Sequence, residues 1–117
     1  MSREKKNVGD WGEEQVARYY AAQGFHILER KWRCKKGEID LICSKSRSLY
    51  VVEVKTRRSL LFGNPEEAVT RAKRNRIMRC AAVYLRRASV RYDVIYYQVC
   101  SVVIRREQIT ITLYTDF

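Results

Sequence analysis

Apolar residues near the start of the chain recur every three or four positions, the period of an α-helix with one buried face. They are Val8, Trp11, Val16, Tyr19 and Ala22. The pattern predicts a helix over residues 9–23, with Asp10 as its N-cap and Gly24 as its stop signal. The preceding residues, 1–8, are expected to form a flexible basic segment.

Three strands follow in the pattern of apolar and polar positions, each rich in Val, Ile or Tyr. They are expected over residues 25–32, 38–43 and 49–56. The polar residues 44–48 predict a turn that joins the second strand to the third. These two strands are therefore expected to form an antiparallel hairpin.

A second, longer helix is predicted from Asn64 to about Arg87. It would begin at Asn-Pro-Glu-Glu, where a capping residue precedes Pro and Glu occupies the third helical position. The stripe expected to pack on the sheet is Ile77, Cys80, Ala81, Tyr84 and Leu85. Residues 92–100 then predict a strand that runs parallel to the third strand through a right-handed crossover. Two apolar runs in the tail, 102–104 and 109–113, predict one more edge strand.

These elements, in the order αβββαββ, predict a single α/β domain over residues 9–117. A central mixed sheet would be flanked by the N-terminal helix and by one long crossover helix. With 117 residues, 46% of them hydrophobic, the chain can bury a core, which excludes wholesale disorder. No apolar run approaches the roughly 18 residues of a membrane span, so the cytoplasm is the expected location.

The cysteines do not favour a zinc site, because the four of them contain no CxxC pair and the single histidine, His26, stands apart. Cys43, Cys80 and Cys100 lie in apolar patterns, as small core residues do. We expect the reduced thiols of an intracellular protein.

A strong excess of positive charge points to a polyanionic partner. The chain carries 24 Lys and Arg against 13 Asp and Glu, a net charge of +11. So small a domain cannot neutralise this excess internally, and nucleic acid, DNA in particular, is the expected partner. A membrane surface is the weaker alternative, because the predicted helices use their apolar faces for the core. The candidate phosphate contacts are Lys35, Lys36, Arg57, Arg58, Lys73, Arg74 and Arg76.

The strongest chemical signal comes from acidic residues within the predicted hairpin. Alternation along a strand puts Glu38 and Asp40 on one face, and likewise Glu53 and Lys55. A turn centred in its polar segment would place Asp40 opposite Glu53 and Glu38 opposite Lys55. The neighbours expected on the other face are Ile39, Leu41 and Cys43.

Two adjacent carboxylates repel each other unless a cation lies between them. Mg²⁺ or Mn²⁺ fits, since hard divalent ions take one or two carboxylates together with phosphate oxygens. Lys55 would then orient or deprotonate a water molecule, or stabilise charge on the phosphate. The alternative is that Glu53 and Lys55 form a surface ion pair while Glu38 and Asp40 face solvent.

A series of short motifs extends over residues 9–95. They are Gly12-Glu13, Ala17-Arg-Tyr19, Gly24, Gly37-Glu-Ile-Asp-Leu-Ile42, Val52-Glu-Val-Lys-Thr-Arg57, Phe62-Gly63, Pro65, Ala68-Val69, Lys73 and Arg91-Tyr-Asp-Val94. Together they resemble the YraN-like family of small bacterial proteins. The resemblance implies a restriction-endonuclease-like fold, similar to that of the archaeal Holliday junction resolvases. By position it implies Glu13, Asp40 and Glu53 as metal ligands and Lys55 as the catalytic lysine, and by analogy a homodimer.

Glu13 and Glu14 differ in the face that each would present. Glu13 borders the inward face of the first helix, whereas Glu14 has Arg18 four residues on and is expected to pair with it in solvent. Glu13 is therefore the ligand candidate. The alternative for Glu13 is a capping box with Asp10.

Some residues have two interpretations that the sequence leaves open. Lys73 lies on the core-facing stripe and either reaches the carboxylates or a phosphate, or extends its stem to solvent. Arg74 and Arg76 are expected to point elsewhere. Trp11 and Trp32 either stack on unpaired bases or pack in the core.

The leading hypothesis is a metal-dependent endonuclease that hydrolyses phosphodiester bonds in DNA, including branched or structured DNA. The alternative is a nucleic-acid-binding protein that performs no chemistry and acts as an accessory factor in DNA repair or uptake.

Overall fold

A five-stranded mixed β-sheet with one helix on each face forms the part of the chain that the computed structural model describes, residues 3–58, 69–106 and 108–115. In chain order the elements are α1 (Arg3–Ala22), β1 (His26–Cys34), β2 (Gly37–Lys45), β3 (Ser48–Arg57), α2 (Arg71–Arg87), β4 (Val94–Arg105) and β5 (Gln108–Thr115). Neighbouring strands are antiparallel except β3 and β4, which are parallel across α2. The predicted α/β class and the order αβββαββ are confirmed.

The first helix begins at Arg3, so the predicted start at residue 9 is wrong. Residues 3–8 are rich in Arg, Glu and Lys, which favour the helix and extend it toward the N-terminus. Asp10 lies inside α1 and pairs with Lys31, so its prediction as N-cap is wrong too. The predicted stop is confirmed, because Gly24 follows the helix with a φ of +90°.

Two hairpins build the first half of the sheet. In the predicted hairpin of β2 and β3, Ser46 in the turn has a φ of +55°, and pairing continues as far as Leu41 opposite Val52. A tight turn also joins β1 to β2, with Cys34 opposite Gly37. Asp40 and Glu53 are the next residues beyond the paired segment of β2 and β3.

The last two strands differ from their predicted bounds. β4 begins at Val94 and continues to Arg105, so the run 102–104 belongs to it and not to the edge strand. A central strand buried on both faces favours one continuous apolar run, which explains the extension. β5 is the predicted edge strand and pairs antiparallel with β4.

The second helix ends at Arg87 as predicted, but its described part begins at Arg71. The predicted start at residues 64–67 lies outside the described residues. Thr70 has extended backbone angles, and its side chain accepts a hydrogen bond from the Lys73 amide. The prediction of one helix that continues through residue 70 is therefore wrong, since Thr70 acts as the N-cap of α2.

Each face of the sheet has its own hydrophobic core. The core under α1 contains Val16, Ala17, Tyr20, Leu41, Cys43, Val52, Val54, Cys100 and Val102. The core under α2 contains Ile39, Ile42, Leu49, Val51, Val69, Ile77, Cys80, Ala81 and Val99. The prediction that Ile39 shares a face with Leu41 and Cys43 is therefore wrong. Regular alternation of the side chains ends where β2 separates from β3.

The four cysteines are free thiols. Cys43, Cys80 and Cys100 are buried, as predicted for core residues. Cys34 is half-buried at the end of β1, with its Sγ 3.2 Å from the Sγ of Cys80. This contact fixes the β1–β2 hairpin against α2. Of the helices described, neither is long and apolar enough to cross a bilayer.

Candidate active site

The site lies where β2 and β3 stop pairing. Beyond Leu41 and Val52 the backbone ladder ends, and the Val54 amide donates instead to the Asp40 Oδ2 at 2.8 Å. The side chain thus satisfies a strand N–H that would otherwise lack a partner. This bond holds the Asp40 carboxyl between the two strands.

Asp40 and Glu53 are brought together, as the hairpin register predicts. Their carboxyl groups are hydrogen-bonded to each other, and the Glu53 side chain is only 7% exposed. Burial, followed by the charge of Glu53, raises the pKa of Asp40 to about 7, against the opposing hydrogen bond from the Val54 amide. Asp40 therefore takes up a proton near neutral pH, as expected for a carboxyl group held close to a second carboxylate.

Lys73 supplies positive charge to this pair. Its Nζ lies 3.0 Å from the Glu53 Oε1. Of the interpretations left open by the sequence, the structure supports the one in which Lys73 reaches the carboxylates. Burial opposes its charge, but contacts with Lys55 and Glu53 outweigh burial and raise its pKa.

Lys55 stands beside Lys73 on the same side of the sheet as Glu53. Burial, and then the proximity of Lys73, lower the pKa of Lys55, while Glu53 and Asp40 act in the opposite direction. As predicted, Val52 and Val54 project to the other face, into the core under α1. A half-buried lysine with a lowered pKa is suited to proton transfer.

Glu13 approaches from α1 but is held by another residue. Lys31 Nζ lies 3.0 Å from the Glu13 Oε1 and also pairs with Asp10. Burial and the charge of Asp40 raise the pKa of Glu13, so the two carboxylates are electrostatically coupled. Because α1 begins at Arg3, the alternative of a capping box is wrong. Glu14 pairs with Arg18 at 3.1 Å, as predicted.

The three predicted metal ligands do not form one cluster. Within the described ranges, no group of three or more His, Cys, Asp or Glu side chains is arranged to hold a metal ion. Asp40 and Glu53 alone still fit Mg²⁺, since it is commonly bound by one or two carboxylates together with water and phosphate oxygens. A cation held between them would neutralise the charge that raises the pKa of Asp40.

The carboxylates open into a cleft of about 210 Å³ beside the N-terminal part of α2. Its lining includes Glu38, Asp40, Glu53, Lys73 and Arg76. Arg76 was predicted to point away from the carboxylates, which is wrong. It follows Lys73 by three residues and so shares its helix face, a relation that could have identified it.

Glu38 shares the cleft with Asp40, as predicted, but does not face Lys55. The β2–β3 ladder ends before both residues, and Glu38 instead lies 3.6 Å from the Nε of Arg33. The predicted pairing of Glu38 with Lys55 is therefore wrong. Divergence of the two strands opens the space that the cleft occupies.

The remaining basic candidates lie close in sequence to residues of the site but do not line the cleft. Lys35 and Lys36 are exposed in the β1–β2 turn, next to Gly37 at the cleft. Arg57 and the exposed Arg58 follow Lys55 along β3. Arg74 differs from these, because its Nε donates to the Val69 carbonyl at 3.1 Å and stabilises the start of α2.

Gly12 occurs in one of the motifs of the family resemblance, but its structural role was not predicted from the sequence. A Cβ at this position would lie 1.8 Å from the Oγ1 of Thr56 in β3. Only glycine permits so close an approach of α1 to the sheet. Gly12 therefore sets the position of the adjacent Glu13.

Comparison with known proteins places this site within a family. The model of the Uncharacterised protein family UPF0102 matches residues 12–97. The chain belongs to this family. A UPF0102 protein of Syntrophomonas wolfei is 42% identical over 104 residues, covering 89% of this chain and 88% of the relative. One of Beutenbergia cavernae is 48% identical over 83 residues, covering 71% of this chain and 70% of the relative.

The UPF0102 assignment confirms the predicted YraN-like family. The matched segment contains Glu13, Asp40, Glu53, Lys55 and Lys73, together with both helix faces that contact the carboxylates. Membership places the whole candidate site in the part of the chain that is similar to UPF0102 proteins.

Proposed function

We propose that this protein is a metal-dependent nuclease that hydrolyses phosphodiester bonds in DNA. The observation that carries the proposal is the pair of Asp40 and buried Glu53 in an open cleft, with Lys73 in contact with Glu53 and Lys55 beside Lys73. The net charge of +11 favours a polyanionic substrate. The resemblance to restriction-endonuclease-like enzymes supports the same chemistry.

Asp40 and Glu53 would hold Mg²⁺ or Mn²⁺ through carboxylate oxygens. The ion, when bound, would neutralise the pair and polarise a phosphate oxygen. Lys55, with its lowered pKa, would accept a proton at Nζ from the attacking water. Lys73 and Arg76 would stabilise negative charge on the phosphate from the α2 side of the cleft.

The basic residues around the cleft would position the nucleic acid without reading its sequence. Lys35 and Lys36 precede Gly37 at the cleft, and Arg57 and Arg58 follow Lys55 in the chain, so their cations would contact phosphates of the bound strand. If about six cations contact phosphates, affinity should fall on the order of 1,000-fold between about 50 and 200 mM salt. This salt dependence belongs to binding and is independent of cleavage.

The proposal is tested by incubating the protein with supercoiled plasmid, four-way junctions, flaps and single strands, in Mg²⁺, Mn²⁺ or EDTA. Asp40→Asn and Lys55→Met should abolish cleavage while largely preserving binding. Glu14→Gln is the matched control, since it removes an exposed carboxylate of α1 that pairs with Arg18 outside the cleft. Loss of cleavage in the control, or cleavage unaffected by EDTA, would contradict the assignment.

A second candidate is a nucleic-acid-binding protein without catalysis. Two observations favour it: Glu13 is paired with Lys31 and does not join the other carboxylates, and Lys73 already neutralises Glu53. This candidate predicts that folded protein binds these substrates and cuts none of them. Binding would then be indifferent to EDTA and to Asp40→Asn.

A further inference from the structure

A second cleft, of about 380 Å³, lies at the C-terminal end of α2, against β1. Its walls include the rings of Trp32 and Tyr84, whose centres are 5.3 Å apart and whose planes are nearly perpendicular. The Arg87 guanidinium lies over the Trp32 ring, 5.9 Å from its centre. Glu29 lines another part of the wall. Aromatic, cationic and hydrogen-bond-accepting groups thus meet in one concave site.

This cleft is separate from the carboxylate cleft but follows the same side of α2. Arg76 lines the first cleft and Arg87 lines the second. Since an α-helix rises about 1.5 Å per residue, these two arginines are about 16 Å apart along the axis of α2. Between them the contact of Cys34 with Cys80 closes the helix against the hairpin. The two clefts are therefore open ends of one seam.

We propose that the second cleft binds an unpaired nucleobase of a single-stranded segment. Aromatic side chains stack on the face of any base, and Arg adds cation–π and phosphate contacts. The Glu29 carboxylate can accept a hydrogen bond from an N–H group of a base, such as the N3–H of thymine. The positive charge of the chain matches such a strand. The proposal rests on the proposed function for its ligand class, nucleic acid, and does not depend on cleavage.

The separation of the clefts specifies the substrate further. At about 3.4 Å per nucleotide, 16 Å corresponds to roughly five nucleotides of stacked strand. A nucleic acid with its scissile phosphate in the first cleft, near Arg76, would thus place an unpaired base in the second cleft, near Arg87, a few nucleotides away. Flaps, forks and other junctions with single-stranded arms meet this condition, and a continuous duplex does not.

The chain provides a direct probe, because it has only two tryptophans. Trp11→Phe leaves Trp32 as the sole source of tryptophan fluorescence. In EDTA, a short oligothymidylate should quench this fluorescence saturably, whereas a hairpin duplex of equal length should not. Oligothymidylate that binds by anisotropy without quenching Trp32 would overturn the proposal.

A matched pair of arginines tests the cleft without disturbing the core. Arg86 and Arg87 are both exposed in the last turn of α2, but Arg87 alone of the two lines the cleft. Arg87→Ala should weaken binding of the oligothymidylate about tenfold. Arg86→Ala should weaken binding only by the smaller amount expected from the loss of one positive charge outside the cleft. Equal effects of the two substitutions would refute the assignment.

The outcomes also separate this proposal from the nuclease. Quenching in EDTA with no cleavage in any metal would refute the nuclease and retain the cleft. Two results would support the nuclease and refute base binding in the second cleft. One is metal-dependent cleavage without quenching of Trp32. The other is equal cleavage of duplex and flap substrates, with no effect of Arg87→Ala.

Discussion

Replacing Asp40 by Asn is expected to make the metal-free protein more stable at alkaline pH. Asn retains an oxygen that can accept from the Val54 amide and an NH₂ group that can donate to Glu53, but it cannot ionise. The native carboxyl must lose its proton as the pH rises, next to the buried charge of Glu53. The substitution therefore removes an electrostatic cost without removing the two hydrogen bonds.

The magnitude follows from the pKa of Asp40, which rises from 3.8 to about 7 on folding. At 1.36 kcal/mol per pKa unit, ionisation costs the folded state up to about 4 kcal/mol. Because the folded pKa is raised, the stabilising contribution of Asp40 is fully present below pH 3.8 and is lost as the pH rises through 7. We therefore expect the stability advantage of Asp40→Asn over the native protein to grow from about pH 4 to pH 7 and to level off above that at about 2–4 kcal/mol.

Urea denaturation in EDTA at several pH values measures this difference. Glu14→Gln provides a control of opposite sign, since contacts with Arg18 and Arg30 lower the pKa of Glu14, and any stability it contributes is present above pH 4.5 and lost toward lower pH. At alkaline pH, Mg²⁺ should stabilise the native protein and leave Asp40→Asn largely unaffected. A stability difference between Asp40→Asn and the native protein that stays constant with pH would refute the proposed coupling of the two carboxyls.

Three further predictions concern the surroundings of the site. Lys73→Met should lower the free energy of unfolding by about 1–3 kcal/mol, because it leaves the buried carboxylate of Glu53 without its ion-pair partner. In a double-mutant cycle, adding Glu53→Gln to Lys73→Met should restore most of the lost stability. Gly12→Ala should cost about 1–3 kcal/mol in urea denaturation, because α1 must move away from β3, and a thermal melt unchanged from the native protein would contradict the close approach. Mild oxidation with diamide should join Cys34 to Cys80 and to no other cysteine, as peptide mapping by mass spectrometry would show.

The sequence predicted the elements whose apolar period is long and regular. The same regularity gave the β2–β3 register, and with it the contact of Asp40 with Glu53, because a turn at Ser46 fixes every pair that follows. The start of α1 was predicted too late because Asp10 is a residue type that often caps a helix. Residues 3–8 contain nothing that stops a helix, so α1 continues through them.

Other features depend on contacts that no local pattern contains. Lys31 neutralises Glu13 only because α1 crosses β1, and Lys31 and Glu13 are 18 positions apart. The face of Ile39 was predicted wrongly because alternation holds along a paired strand and fails where β2 separates from β3. The nuclease activity, the metal, the DNA partner and the homodimer stay predictions.

The divergence of β2 and β3 explains why the chemistry lies where it does. A paired sheet leaves no room for two buried carboxyls, whereas separating strands leave both space and an amide, that of Val54, which Asp40 satisfies. The helices then supply charges from opposite faces, Lys73 from α2 and Glu13 from α1. Because Lys73 already contacts Glu53, a metal ion must compete with it for the same negative charge. Binding of the ion should consequently release the proton of Asp40 and displace Lys73 from Glu53, which leaves Lys73 free to contact phosphate only when the metal is present.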